Sequence, residues 1–179
     1  MAMVRDGLIS GVLGIWFFGA ACLAAPPAKN WLPEVDEQLP NVLLIGDSIS
    51  IGYTMGVREQ LKGRANVFRP CSTDGTKFIN CGDTAAGIEK LGEWLGGRKW
   101  AVIHFNWGLH DLKYMAEGEK GKQALDKVKG KQVRSAADYA KNLELLVTRL
   151  RATGARLIFA TTTVVPEGEP GRVAGDDLK

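Results

Sequence analysis

The chain has few of the residues and motifs that mark zinc-binding, nucleotide-binding and nucleic-acid-binding proteins. Its 179 residues include only 3 cysteines and 2 histidines, and no cysteines stand at zinc-ligand spacing. No G-x-G-x-x-G or P-loop pattern follows the first apolar run, which argues against a flavodoxin-like nucleotide binder. The net charge of +3 is small and dispersed, so we expect no nucleic acid partner. Ordinary apolar content indicates one globular domain rather than disorder or fibrous repeats.

Residues 1–25 have the pattern of a signal peptide. The apolar stretch Leu8–Ala25 carries no charge and ends in small residues, as secretory signals do. Its length is near the lower limit for a membrane span, so an uncleaved membrane anchor is the alternative. The sequence GAAC, Gly19–Cys22, is similar to an imperfect lipobox, which makes a lipidated Cys22 a further alternative. We expect a periplasmic or secreted protein whose only contact with membrane is through this segment.

Export bears on how Cys71 and Cys81 are interpreted. In an oxidising compartment these two cysteines are close enough in sequence to close a short disulfide loop. Two buried free thiols are the alternative, because sequence does not give the Cα separation that decides bridging. Both interpretations stay open at this point.

Apolar periodicity predicts an α/β domain over residues 41–179, preceded by a proline-rich linker over residues 26–40. Short apolar runs alternate with longer amphipathic ones, which favours a parallel sheet with helices on both faces, a three-layer α/β/α sandwich. Continuously apolar runs such as Val42–Ile45 fit strands that are buried on both faces. The predicted strands are NVLLIG, NVFRP, AVIHFNW and ARLIFATTT, and the predicted helices are Ile51–Lys62, Thr84–Leu95 and Ser135–Ala152.

Three segments that follow predicted strands carry chemically useful side chains. They are Gly46-Asp47-Ser48, Asn80–Thr84 and Phe105–Asp111. Ligands of such sheets bind beyond the carboxyl ends of the strands, so we expect the three segments to form the site. Ser48 has two interpretations: it is the N-cap of the helix, or it is a nucleophile whose oxyanion the positive end of the helix favours.

The motifs IGDSIS, NCGDTAAGIEKL and VIHFNWGLHDL, within Val42–Leu112, resemble the first three sequence blocks of the SGNH, or GDSL-type, esterase and lipase superfamily. The resemblance implies a flavodoxin-like fold and hydrolysis of carboxylic esters through a seryl acyl-enzyme, with no metal or organic cofactor. It implies Ser48 as the nucleophile, Asp47 as its support, and the Gly82 N–H as an oxyanion-hole donor, with Gly75 as the alternative. Acetyl groups on carbohydrate are the first expectation for the substrate, and lipid esters or thioesters are alternatives.

The third block departs from the family pattern Gly-x-Asn-Asp. It reads Gly108-Leu109-His110-Asp111, so either His110 or the earlier Asn106 would take the place of the oxyanion-hole asparagine. Alternatively, His110 structures the loop by bonding Asp111. His104 lies between apolar residues, and we expect it to be a core or interface histidine.

The general base that the resemblance implies, in a C-terminal Asp-x-x-His, has no match. Neither Asp176 nor Asp177 is followed by a histidine, and the chain ends at Lys179. We therefore expect a C-terminally truncated hydrolase without its last strand and helix. The alternative is a catalytically inactive SGNH-fold fragment or binding module. The lysine-rich segment Lys113–Arg134 is expected to be a solvated insertion with a short helix.

Overall fold

A computed structural model describes residues 30–118 and 124–176. Its central sheet has four strands in the order β2-β1-β3-β6, and all three neighbouring pairs are parallel. The expected α/β class and the expected order of strands and helices are confirmed. The elements are β1 (Asn41–Ile45), α1 (Ser48–Gln60), β2 (Asn66–Phe68), α2 (Thr84–Leu95), β3 (Val102–Phe105), β4 (Tyr114–Met115), β5 (Lys131–Gln132), α3 (Ala136–Arg151) and β6 (Arg156–Phe159).

Side chains of β1 alternate between the two faces of the sheet. Val42 and Leu44 pack on the face that α1 covers, whereas Leu43 and Ile45 belong to a larger cluster on the opposite face. The larger cluster contains residues of α2 and α3 such as Leu91. This alternation produces the three layers, because successive side chains of a strand point to opposite sides.

Helix α1 begins earlier than its apolar periodicity predicts. It begins at Ser48 instead of Ile51, and Asp47 is its N-cap, with a carboxylate that accepts a hydrogen bond from Ile49 N. Periodicity detects only where the apolar face of a helix begins, whereas the cap adds a polar first turn before it. The predicted bounds of α2, Thr84–Leu95, are confirmed.

The described part of Lys113–Arg134 contains a two-stranded antiparallel ribbon, β4 paired with β5. A short helix was expected there. The described residues also include a single turn, in which Gly130 N donates to Asp126 O as in one turn of an α-helix. Residues 119–123 lie outside the described residues.

The edge strand β6 presents apolar side chains to solvent. Ile158 is 47% and Phe159 is 42% exposed. Leu143 and Val147 of α3 line a groove of about 390 Å³ with Leu157 and Phe159 of the strand. This edge of the sheet therefore has an uncovered apolar surface in the described part of the chain.

Residues 30–40, in the predicted linker, lie against the domain. The Arg58 guanidinium donates to Trp31 O at 2.8 Å, and the Asn66 amide bonds the backbone of Asp36. The predicted signal, with Cys22, lies outside the described residues. No helix in the described part of the chain is long and apolar enough to cross a membrane.

Candidate active site

The three segments selected from the sequence meet at the carboxyl ends of β1, β2 and β3. Cys81 N, in the second segment, donates to Gly46 O at 3.1 Å. Asn106 N, in the third, donates to Ile45 O at 3.1 Å. These bonds join the second and third segments to the turn that precedes Ser48, so the structure places all three at one edge of the sheet.

Ser48 is the exposed first residue of α1. Because Asp47 caps the helix, the Ser48 hydroxyl is not used for capping, and its N–H, in the first helical turn, has no acceptor within the helix. The positive end of the helix dipole also favours negative charge at this point. Next to Ser48, a cleft of about 310 Å³ is lined by Ile49, Leu109, Val164, Val165, Pro166 and Arg172, among others.

The turn before Ser48 is held by Arg69, which sequence analysis did not identify. One Arg69 nitrogen, Nη2, donates to Gly46 O at 2.6 Å and to Asp47 O and Ile79 O at 3.1 Å. The other, Nη1, donates to Ser50 Oγ at 2.6 Å. Arg69 is buried, and desolvation lowers its pKa. An arginine in the predicted strand NVFRP was the only signal, since a charged residue at a buried strand end needs partners.

The second segment contains a glycine in the left-handed backbone conformation, which favours glycine over other residues. Gly82 has φ +64°, and its N–H donates to Asn80 Oδ1 at 3.0 Å. This N–H, the expected oxyanion donor, therefore already has an acceptor. The alternative, Gly75, lies in a turn, and a Cβ added to it would meet the side chains of Asn30 and Leu32.

The third segment is packed closely against its neighbours. The Asn106 amide donates to Ala160 O at 2.8 Å and also contacts Thr161 O. The fully buried Asp111 carboxylate accepts from the Thr84 N–H and hydroxyl at the start of α2. Desolvation raises the pKa of Asp111. Asp111 thus joins the third segment to the second, and it does not bond His110 as one interpretation of the sequence had it.

His110 has a polar neighbour at each ring nitrogen. Lys113 Nζ lies 3.0 Å from Nδ1, and Asn80 Nδ2 lies 3.5 Å from Nε2. Desolvation, and next the Lys113 charge, lower the pKa of His110. His104 is elsewhere: it lies in β3, and its ring contacts Tyr53 of α1 edge-on, with centroids 5.9 Å apart.

The two remaining cysteines, whose bonding was left open, are free thiols. Cys81 is buried, which raises the pKa of its thiol to about 11. Within residues 30–118 and 124–176, no group of three or more histidine, cysteine or acidic side chains is placed to hold a metal ion.

No protein-family model matches the chain, and no curated protein matches it in sequence. Among solved structures it is similar to an acetyl xylan esterase, AlAXEase, with 13% identity and a TM-score of 0.52 over 70% of this chain. A provisionally assigned acylhydrolase from Bacteroides fragilis has 16% identity and a TM-score of 0.45, and the match covers 73% of this chain and 52% of that protein. The chain spans 59% of the length of AlAXEase. The chain thus shares an α/β fold with an esterase structure, which is the fold class that the sequence predicts.

Proposed function

We propose that the chain carries the nucleophile and oxyanion-binding part of a carboxylic ester hydrolase. One observation carries this proposal: Asp47 caps α1, so the exposed Ser48 hydroxyl at the helix N-terminus is not used as a cap. The second and third segments surround the same turn, and the fold is that of an esterase structure. Serine nucleophiles with preorganised donors beside them are typical of acyl-transfer sites.

In the proposed reaction, Ser48 Oγ forms a bond to the acyl carbon while the carbonyl electron pair moves to oxygen. The resulting oxyanion lies near the Ser48 N–H, the second segment and His110. Its collapse breaks the bond to the alcohol and leaves an acyl-enzyme, which water then hydrolyses. A general base takes the serine proton and returns it to the leaving alcohol.

The general base is the missing component. The chain has 2 histidines; His104 packs against Tyr53, and His110 has the Lys113 amine at Nδ1. We propose that a group other than these two histidines acts as the base.

Acetyl esters on carbohydrate are the proposed substrates. AlAXEase, which has the same fold, is an acetyl xylan esterase, and the predicted signal peptide would export this chain to a compartment that contains glycans. The cleft beside Ser48, about 310 Å³, has room for a short acyl group, whereas lipid esters or thioesters are alternatives.

A second candidate is a binding module that keeps the fold without catalysis. The absence of an Asp-x-x-His from the sequence favours it. Such a module would bind an ester-bearing ligand in the same cleft, with no turnover that depends on Ser48.

The test is release of nitrophenol from nitrophenyl acetate by the wild type, Ser48→Ala and Thr148→Ala. Thr148→Ala is the matched control because it removes an exposed hydroxyl from α3 that bonds only Glu144 O. We expect equal turnover in the wild type and in the control, and a lower rate in Ser48→Ala. The catalysis that remains in Ser48→Ala is the share that binding and oxyanion stabilisation supply without a nucleophile, about 10³-fold over water. Equal rates in all three proteins would leave the binding module as the better account.

A further inference from the structure

We propose that Lys113 is a positioning residue that holds His110 with its proton on Nε2, and that His110 Nε2 and Asn80 Nδ2 together bind the oxyanion. This inference rests on the proposed function and assigns the oxyanion donors to two side chains. In this assignment, His110 takes the place of the asparagine in the family's third block, and the Asn80 side chain takes the place of the backbone N–H of the second block. Lys113 orients His110, and the loop orients Asn80.

The proton of the neutral His110 ring lies on Nε2. Lys113 Nζ lies 3.0 Å from Nδ1, and a lysine ammonium has only hydrogens to offer. Nδ1 must therefore present its lone pair, and in a neutral imidazole the proton is then on Nε2. A histidine in this form is a donor toward the site and has no lone pair there, so it is unsuited to act as the base for Ser48.

The Asn80 amide is oriented by its hydrogen bond with Gly82. Its Oδ1 accepts the Gly82 N–H at 3.0 Å. The amide nitrogen therefore faces His110, with Nδ2 lying 3.5 Å from Nε2. Reversing the amide would bring Nδ2 against the Gly82 N–H, donor to donor, so this bond selects one orientation.

The Asn80 amide nitrogen and His110 Nε2 do not hydrogen-bond each other. Nδ2 of Asn80 and Nε2 of His110 are both donors and lie side by side, so a hydrogen bond between them is excluded. Two adjacent donors of this kind can converge on a single oxygen, as in an oxyanion hole. The positive charge of Lys113 behind the ring polarises the Nε2–H and favours negative charge in front of it.

The position of the pair agrees with this role. Cys81, next to Asn80, is bonded to Gly46 O in the nucleophile turn. The Asp47 carboxylate lies near enough to act electrostatically on both His110 and Lys113. The two donors thus belong to the same edge of the sheet as Ser48.

The first experiment reads the tautomer directly, by long-range ¹H–¹⁵N NMR of the histidine rings in the full chain near neutral pH. The proteins are the wild type, Lys113→Met and Lys113→Arg. We expect an Nε2–H, bare-Nδ1 signature for His110 in the wild type, a mixture of tautomers in Lys113→Met, and recovery of the Nε2–H form in Lys113→Arg. His104 is the internal control and its signals should not change. A proton on Nδ1 in the wild type would overturn the proposal.

The second experiment uses acetate, whose carboxylate oxygens resemble the oxyanion. Adding acetate to the wild type should shift the His110 Nε2–H and Asn80 Nδ2 signals together, and not those of His104. Asn80→Ala should weaken the response at His110 about 10-fold in apparent affinity, as expected for loss of one charge-assisted hydrogen bond. An unchanged response in Asn80→Ala would exclude the second donor. Neither readout needs turnover, so failure of Ser48-dependent hydrolysis and failure of this assignment are separate results.

Discussion

Asp47 and Ser48 are adjacent residues of types that both cap helices, and the structure assigns them different tasks. The Asp47 side chain satisfies Ile49 N, and the exposed Ser48 hydroxyl is left free for chemistry. Sequence reasoning left both roles open for Ser48, because both residue types are strong N-caps and only the backbone geometry decides which one bonds. The hydroxyl of the proposed nucleophile is thus available because its neighbour Asp47 caps the helix.

The two histidines make stability depend on pH in one direction. Burial is the largest cause that lowers the pKa of both His104 and His110. Below the ordinary value of about 6.5, the unfolded chain therefore binds more protons than the folded one. We predict that the free energy of unfolding falls as pH falls from about 7.5 to about 5.5. Urea midpoints across this window measure the effect.

A double variant isolates the histidines from the other titrating groups. His104→Phe keeps a ring against Tyr53, and His110→Asn introduces the residue usual in the superfamily. The double variant should show a flatter dependence on pH than the wild type in the same window. An identical slope in the two proteins would show that these histidines do not titrate differently on folding.

At the scale of elements, helix α2 is positioned against the third segment by a glycine. A Cβ on Gly87 would lie 2.8 Å from the Trp107 ring, whereas a Cβ on Gly92, in the same helix, would meet only the Arg149 side chain, at 3.7 Å. We predict that Gly87→Ala destabilises by about 1 to 3 kcal/mol through overpacking. Gly92→Ala, the matched control, should stabilise by about 0.5 to 1 kcal/mol through helix propensity. Urea unfolding of both variants measures this, and equal effects would contradict the packing account.

Arg69 joins the ends of β1 and β2 through its planar fork. Lysine keeps the charge but presents a single nitrogen, so Arg69→Lys cannot reach Gly46 O, Ile79 O and Ser50 Oγ together. We predict a loss of about 2 kcal/mol or more in the free energy of unfolding and a lower rate of ester hydrolysis.

The matched control for Arg69 is Arg98→Lys. The exposed Arg98 guanidinium lies over the Phe68 ring, 4.2 Å from its centroid, a contact worth about 0.5 to 1 kcal/mol. Chemical denaturation and the nitrophenyl acetate assay should therefore separate the two variants. An Arg69→Lys protein as stable and active as Arg98→Lys would show that the Arg69 guanidinium does not hold the turn before Ser48.

At the scale of the whole molecule, the order of elements was predictable because each strand is a short apolar run and each helix has its own apolar face. Val42 to Ile45 and the predicted helix Thr84–Leu95 show this clearly. The roles of Arg69 and Lys113 were not predictable. Each depends on residues far apart in sequence, or on a loop whose shape no periodicity specifies.

The apolar surface on β6 and α3 is also a property of the whole molecule. It lies at the edge of the sheet, with Ile158 and Phe159 nearly half exposed. The site is at the carboxyl ends of β1, β2 and β3 and does not include this edge. The proposed nucleophile and the proposed oxyanion donors therefore lie together within the described part of the fold.

The central claim is that Ser48 is a nucleophile. The most direct test is covalent labelling of the full chain with a fluorophosphonate, followed by peptide mass spectrometry, in the wild type and in Ser48→Ala. The account predicts a label on the peptide that contains Ser48, formed slowly in the wild type because neither histidine acts as its base, and absent from the variant. A wild-type chain that stays unlabelled at Ser48, while a known serine esterase in the same tube is labelled, would contradict it.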